Sequence, residues 1–352
     1  MSPSTTNSAD TSQKAADTKD IVLSKLERDF INNFQGNFPL VERPFDTIAK
    51  ELSCTEDELI KAVQHLKEQK TLTRFGPLYD AARLGGGLTL AAISVPENRY
   101  EIVTALVNTY PEVAHNYRRE HELNMWFVIA TEAQAELLKV ISSIEKTTSL
   151  RVYNFPKQQE FYIGLWLHLD ENNKVTTMPV PENTAIDDVE AGAYQLDDSD
   201  RKILRITQSG LPVESKPYLG IAHNIGLTED DVIQRLKRML ACGIIRRIGA
   251  VPNHYKLGLT ANGMTVWDVS DDRVTELGNL IGQLDFVSHC YQRPRHLPMW
   301  RYNMFAMVHG SGKDEVNAKA KKIEQLLGDN CKAHDTLYSS AILKKTGLRL
   351  AA

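Results

Sequence analysis

The chain says nearly the same thing twice, and that repetition constrains its fold more than any other feature. Residues 113–119 read Val-Ala-His-Asn-Tyr-Arg-Arg and residues 287–293 read Val-Ser-His-Cys-Tyr-Gln-Arg. His115, Tyr117 and Arg119 thus recur as His289, Tyr291 and Arg293 at one constant offset. Upstream, Thr73-Arg74-Phe75-Gly76 is answered by Arg246-Arg247-Ile248-Gly249. Self-similarity of this kind marks a duplicated structural unit. The 352 residues accommodate two copies of about 150 residues each, the usual size of a domain.

Each copy opens with helical text. Thr55-Glu56-Asp57-Glu58 is a Thr-x-x-Glu capping box, and Leu59, Ile60, Val63 and Leu66 follow on one helical face. A short helix over Phe45–Leu52 and a turn at Ser53-Cys54 precede it. The second copy repeats the outline with Tyr218–Ile225, a turn at Gly226, then Thr228-Glu229-Asp230-Asp231 before Val232, Ile233, Leu236, Met239 and Leu240. Helix, short turn and capped helix make the helix-turn-helix pattern.

An α/β unit follows in each copy. The first places strands at 88–95, 113–120, 123–131 and within 151–167, with helices at 99–110 and 132–147. The second places strands at 263–270, 287–293, 302–310 and 336–344, with helices at 272–284 and 313–327. The order βαββαβ is ferredoxin-like. The expected fold is α+β: a tandem repeat of an N-terminal helix-turn-helix plus a ferredoxin-like βαββαβ domain. The expected bounds are a disordered tail over 1–20, helix-turn-helix units at 21–83 and 196–256, and ferredoxin-like domains at 84–169 and 257–352. A linker spans 170–195, where the chain is polar, holds Pro179 and Pro181, and loses its periodicity.

Composition narrows the class. The chain is 42% hydrophobic and 24% charged, as a soluble globular protein is, and no apolar run approaches the roughly 20 residues needed to span a bilayer. Residues 1–20 lack the apolar stretch of a secretory signal. Cys54, Cys242, Cys290 and Cys331 are scattered, which fits a reducing cytoplasm better than a zinc site or a disulfide framework. With a net charge of −4, any site for anions has to be built locally.

A DNA-reading helix sets its N-terminal residues against bases and phosphates. Here those residues are Glu56, Asp57 and Glu58, and Glu229, Asp230 and Asp231, which phosphates repel. Arg235, Lys237 and Arg238 come late on the helix. The unit is therefore read as a packing or dimerisation module, with DNA binding as the competing reading.

Alternation along a strand puts His115, Tyr117 and Arg119 on one face, and likewise His289, Tyr291 and Arg293. A ferredoxin-like sheet covers one face with helices and leaves the other free. Two such sheets packed face to face would enclose a cavity lined by both triplets. Arg295 and Trp300 follow the second triplet closely, and guanidinium forks bind carboxylates bidentately. The implied ligand is flat, large and rich in carboxylates. Arg74 and Arg247 would add one clamp per copy. His254 is read as structural, and Lys344 and Lys345 as a solvated strand end. Gly85-Gly86-Gly87 precedes a strand and is a turn, not a phosphate cradle.

These residues resemble a known family. Arg246-Arg247-Ile248-Gly249-Ala250-Val251, Val287 to Pro294, and Trp300 to Gly310 are similar to the siroheme decarboxylases. His115-Asn116-Tyr117-Arg118-Arg119 and Asn124-Met125-Trp126-Phe127 look like the partner subunit of the same enzymes. The pattern departs at Arg301, where proline is expected. The resemblance covers residues 25–350 and points to a fused two-subunit (NirD/NirL-like) form with the architecture of Lrp/AsnC regulators. It implies removal of two ring acetate carboxyl groups from siroheme as CO2, giving 12,18-didecarboxysiroheme for heme d1 or an alternative heme route. His115 and His289 would be the catalytic acids, or one of them a ligand to the iron. Arg74, Tyr117, Arg119, Arg247, Tyr291, Arg293, Arg295 and Trp300 would bind substrate. The resemblance implies no cofactor beyond the substrate's own iron, no other metal, and siroheme as partner rather than DNA or a membrane. The chain would be an internal pseudo-dimer, with further homo-oligomers open. A transcription regulator and a non-catalytic tetrapyrrole carrier are the competing functions.

Overall fold

The computed structural model describes residues 22–80, 83–179 and 194–345. The expected tail over 1–20 lies outside them. Each copy begins with three helices rather than the two expected: α1 (Lys25–Asn33), α2 (Pro44–Glu51) and α3 (Glu56–Glu68) in the first. Ser24 caps α1 in a reciprocal box with Glu27, and Thr55 caps α3 in the same way with Glu58. The first helix escapes sequence reading because its buried face is small, limited to Glu27, Phe30 and Ile31. Strand β1 (Leu72–Tyr79) follows. The ferredoxin-like unit then runs β2 (Gly87–Ile93), α4 (Tyr100–Thr109), β3 (Val113–Arg119), β4 (Met125–Thr131), α5 (Leu137–Thr148) and β5 (Val152–Pro156).

The stretch expected to hold one last strand holds three: β5, then β6 (Gln159–Ile163) and β7 (Trp166–Leu169). Strand β8 (Val175–Met178) pairs with β7 and occupies part of the expected linker. The second copy comprises α6 (Asp198–Thr207), α7 (Pro217–Ile225), α8 (Glu229–Ala241), β9 (Ile245–Pro252), β10 (Ala261–Val269), α9 (Val274–Gly282), β11 (Val287–Gln292), β12 (Met304–Gly310), α10 (Lys313–Leu327) and β13 (Cys331–Lys345). Among the described residues no helix is long and apolar enough to cross a membrane.

The repeated Arg-x-Gly anchors explain how the helical units join. β1 and β9 pair antiparallel, with Gly76 opposite Gly249. A Cβ on Gly249 would lie 2.3 Å from the Phe34 carbonyl oxygen, and one on Gly76 2.8 Å from the Leu211 nitrogen. Each ribbon strand thus lies against the backbone that follows the other copy's first helix. Leu211 N–H donates to the Phe75 carbonyl and Ala250 N–H to the Phe34 carbonyl, both at 2.8 Å. Only glycine allows so close an approach. One continuous apolar core holds residues of all six helices, including Phe30, Phe45, Leu59, Ile203, Tyr218 and Leu236. The two helix-turn-helix units are therefore a single packed body.

The ferredoxin-like units are equally interlocked. Their strands follow the order β5-β2-β4-β3 and β13-β10-β12-β11 within one nine-stranded sheet. β13 pairs with β10 through its first half and with β3 of the other copy through its second. β5 pairs with β2, and β6, two residues later, with β11 of the other copy. The two ends of the sheet are thus consecutive pieces of chain. Each half packs helices on its outer face: α4 and α5 over Ile93, Met125 and Phe127, and α9 and α10 over Trp267, Met304 and Val308. The inner faces meet in a core of Ala92, Trp126, Phe155, Met264, Val266, Trp300, Phe305 and Leu337, drawn from both copies. The face-to-face packing expected from the repeat is the packing found.

Candidate functional site

On β3, Asn116 turns toward α4, where its amide donates to Asn108. Its neighbours His115, Tyr117 and Arg119 therefore face the other way, toward the opposing sheet. The His115 and Tyr117 rings lie 6.2 Å apart, and the Arg119 guanidinium sits 5.8 Å from the Tyr117 ring. β11 repeats the arrangement: His289 to Tyr291 is 6.0 Å, and Arg293 to Tyr291 is 5.1 Å. Arg119 donates to the Leu337 carbonyl and Arg293 to the Phe155 carbonyl. Both acceptors belong to the inter-sheet core, so the two arginines flank it.

The space between the sheets around Trp300 is filled. Trp300, expected to offer an open face, is 1% exposed and lies 5.0 Å from Trp126 and 5.5 Å from Phe155. Arg295 donates to Asp268, Asp271 and the Val269 carbonyl, and Arg301 pairs with Asp268 as well. Arg74 donates to the Gln208 carbonyl and so ties the helical units together. Arg247 stacks 4.5 Å over Trp166 and reaches the Leu165 carbonyl, with Nη1 buried and unpaired. Neither Arg74 nor Arg247 joins a triplet.

Side chains that the sequence reading set aside do join. Lys345 is paired with His115 across β13 and β3, and its ammonium lies 5.3 Å from the Tyr255 ring. The His254 ring lies 4.3 Å from that of Tyr255 and meets that of His309 edge-on at 5.1 Å. Lys344 turns away, donating to the Asn108 and Tyr110 carbonyls. The signal for Lys345 lay in strand pairing across copies, and that for His254 in its approach to His309 and Asn262, neither of which spacing along the chain carries.

The two triplets differ in charge. Beside Tyr291 and His289 stands Arg246, paired with Glu160 at 2.7 Å and Asp80 at 2.7 Å, while Lys157 pairs with Glu160. Beside the first triplet stand Arg119 and Lys345, with no carboxylate partner among the described residues. Burial pulls Arg119 and Arg293 down to about 10, and each leaves Nε buried without a partner.

Burial disfavours the charged form of His115, His254 and His289. Burial lowers His289 and His254 to about 4, and burial with the Lys345 charge lowers His115. Unfolded histidine titrates near 6.5, so the unfolded chain binds more protons at acid pH. The stability is therefore intact above about 6.5 and falls as pH drops toward about 4. Discounted for partial exposure, His289 alone accounts for on the order of 2 kcal/mol of this loss. Urea midpoints measured from about pH 7 to about pH 4 should fall less steeply for His289→Gln than for the unsubstituted chain.

Fold and site together define a duplicated helix-turn-helix and AsnC-like ligand-binding protein. The AsnC-like ligand binding domain family matches residues 83–162 and 256–344, and the siroheme decarboxylase NirDL-like HTH domain family matches 27–72 and 200–246. The siroheme decarboxylase of Hydrogenobacter thermophilus is 32% identical over 293 residues, 83% of this chain and 85% of that one. The chain belongs to the siroheme decarboxylase family. The siroheme decarboxylase NirH subunit of Pseudomonas aeruginosa is 56% identical over 151 residues, 43% of this chain and 88% of that one. The crystal structure of siroheme decarboxylase NirDL in complex with an iron-uroporphyrin III analogue superimposes with a TM-score of 0.67 at 28% identity, over 91% of this chain and 92% of that one.

Proposed function

We propose that this chain decarboxylates siroheme in the cytoplasm, removing two ring acetate carboxyl groups as CO2 to give 12,18-didecarboxysiroheme for heme d1 or an alternative heme route. The observation that carries the reading is a pair of guanidiniums, Arg119 buried and Arg293 half-buried, that have no carboxylate partner among the described residues and each leave Nε buried and unpaired. A buried cation is costly unless an anion completes it, and a polycarboxylate macrocycle supplies such anions. The related enzyme solved with an iron-uroporphyrin III analogue supports that class of ligand. The acidic starts of α3 and α8, where Glu56 pairs with Arg43 and Glu229 with Lys216, favour no DNA partner.

In each decarboxylation the bond between the acetate methylene and its carboxylate breaks and CO2 leaves. The electron pair passes into the ring as an exocyclic methylene if the ring carbon next to the one bearing the acetate has been protonated, and the methylene then takes a proton as the ring carbon gives its own up; otherwise the pair rests on the methylene, which takes the proton directly. One proton replaces one CO2, and no electrons are gained or lost. Arg119, Arg293 and Lys345 hold carboxylates that do not react. Tyr117 and Tyr291 orient the macrocycle by hydrogen bonding. His115 and His289 are the acids of this reading, or one of them instead ligates the substrate iron, and arriving carboxylates raise the affinity of an imidazole for a proton. The iron belongs to the substrate, and no further cofactor is invoked.

Siroheme added to the purified chain without oxygen should be converted to a product lighter by two CO2, followed by mass spectrometry. Siroheme that stays bound at unchanged mass would make the protein a carrier. A salt-dependent shift of duplex DNA without conversion would make it a regulator.

A further inference from the structure

His115 and His289 occupy equivalent strand positions but sit in different polar surroundings. Ser288 Oγ lies 2.8 Å from His289 Nδ1 and 2.6 Å from His309 Nε2. His309 Nδ1 lies 2.5 Å from Asn262 Oδ1, and Asn262 Nδ2 lies 3.3 Å from His254 Nε2. Ser288 is 1% exposed and His309 4%. With the Asn262 carbonyl facing His309, donors and acceptors alternate in one order. Asn262 Oδ1 accepts from His309 Nδ1–H, so His309 Nε2 accepts from the Ser288 hydroxyl. The Ser288 oxygen then accepts from His289 Nδ1–H, and His289 Nε2 is left with its lone pair.

The first copy has none of this. Ala114 stands where Ser288 does. The pair Asn262↔His309 between β10 and β12 corresponds to Leu88↔Ala130 between β2 and β4. His115 Nδ1 is buried without a hydrogen-bond partner.

We infer that Ser288, His309 and Asn262 are positioning residues that hold His289 as an electron-pair donor to the iron of the bound tetrapyrrole. The inference rests on the tetrapyrrole reading of the site. A lone pair is repelled by the carboxylates around such a macrocycle, and the iron is the macrocycle's one Lewis acid. A metal-binding imidazole ordinarily donates its other N–H to a fixed acceptor, which sets both tautomer and ring orientation. His115, with no such support and the Lys345 ammonium beside it, is left to deliver the proton.

The test compares iron-uroporphyrin III with metal-free uroporphyrin III on the full chain, by titration and visible spectroscopy. The unsubstituted chain should bind the iron form roughly 10-fold or more tightly, with the spectrum of an imidazole-ligated iron. His289→Ala should abolish both the preference and the spectrum. Ser288→Ala installs the residue that the first copy already carries. It should weaken iron-form binding by about 10-fold and leave metal-free binding unchanged. Asn262→Leu should do the same. Ala114→Ser should change nothing. Equal affinity for the two porphyrins overturns the ligation. So does a spectrum that survives Ser288→Ala and Asn262→Leu at unchanged affinity, or one lost in His115→Ala and kept in His289→Ala. Failure of either porphyrin to bind overturns the reading of the site, and the ligation with it.

Discussion

His115→Ala should slow CO2 release from siroheme by roughly 100- to 10,000-fold, the range that a positioned acid contributes, and His289→Ala, which removes the proposed donor to the iron, should slow it as well. Metal-free uroporphyrin III should bind both variants within a few-fold of the unsubstituted chain, because the arginines that hold its carboxylates remain. The pH profile then separates the two roles. Burial and the Lys345 charge lower the proton affinity of His115 in the empty site. A substrate carboxylate beside Lys345 cancels that repulsion and lets the imidazole take a proton. The rate should therefore fall as pH rises through the value His115 acquires in the complex. That limb should vanish in His115→Ala and persist, at a lower rate, in Ser288→Ala. Initial rates of CO2 release across the pH range check both statements. A falling limb that survives His115→Ala would remove the acid role from that residue.

Much of this fold was legible because a repeat leaves its anchors in the text. Period-two alternation placed His115, Tyr117 and Arg119 on one strand face, and capping boxes located α3 and α8. The helices α1 and α6 were missed because each buries few apolar residues along a short length. The site was legible as a pair of triplets and illegible as a set of neighbours. Nothing along the chain says that β13 runs fifteen residues and crosses from one copy to the other, which is what sets Lys345 beside His115. Nor does the cluster Arg293, Arg295 and Arg301 disclose that Asp268 engages two of the three. Trp300 looked like a flat ligand face because its local text is basic. Its packing partners, Trp126 and Phe155, come from the other copy. Residues that answer one another across the pseudo-twofold are far apart in sequence, and pattern reading reaches only within an element.

Arg119→Met should make the empty protein more stable and its tetrapyrrole site weaker. Arg119 is 8% exposed, donates one bond to the Leu337 carbonyl, and leaves Nε without a partner. Its descent to about 10 records how strongly burial disfavours the charge. That descent corresponds to on the order of 3 kcal/mol. Removing the guanidinium recovers much of it and forfeits one hydrogen bond worth about 1 kcal/mol. The net gain is about 1–2 kcal/mol, seen as a higher urea midpoint. The same substitution deletes a charge-assisted contact to a substrate carboxylate. Such contacts contribute about 1.5–3 kcal/mol, so affinity for iron-uroporphyrin III should drop roughly 10- to 100-fold. Arg295→Met is the contrasting case. Its guanidinium is already matched by Asp268 and Asp271, so the substitution should lower the urea midpoint and leave porphyrin affinity unchanged. Opposite signs for stability and binding at Arg119, beside loss of stability alone at Arg295, would separate an arginine kept for its ligand from one kept for the fold. A destabilised Arg119→Met with normal porphyrin affinity would place that residue with Arg295 and leave the first triplet without its anion anchor.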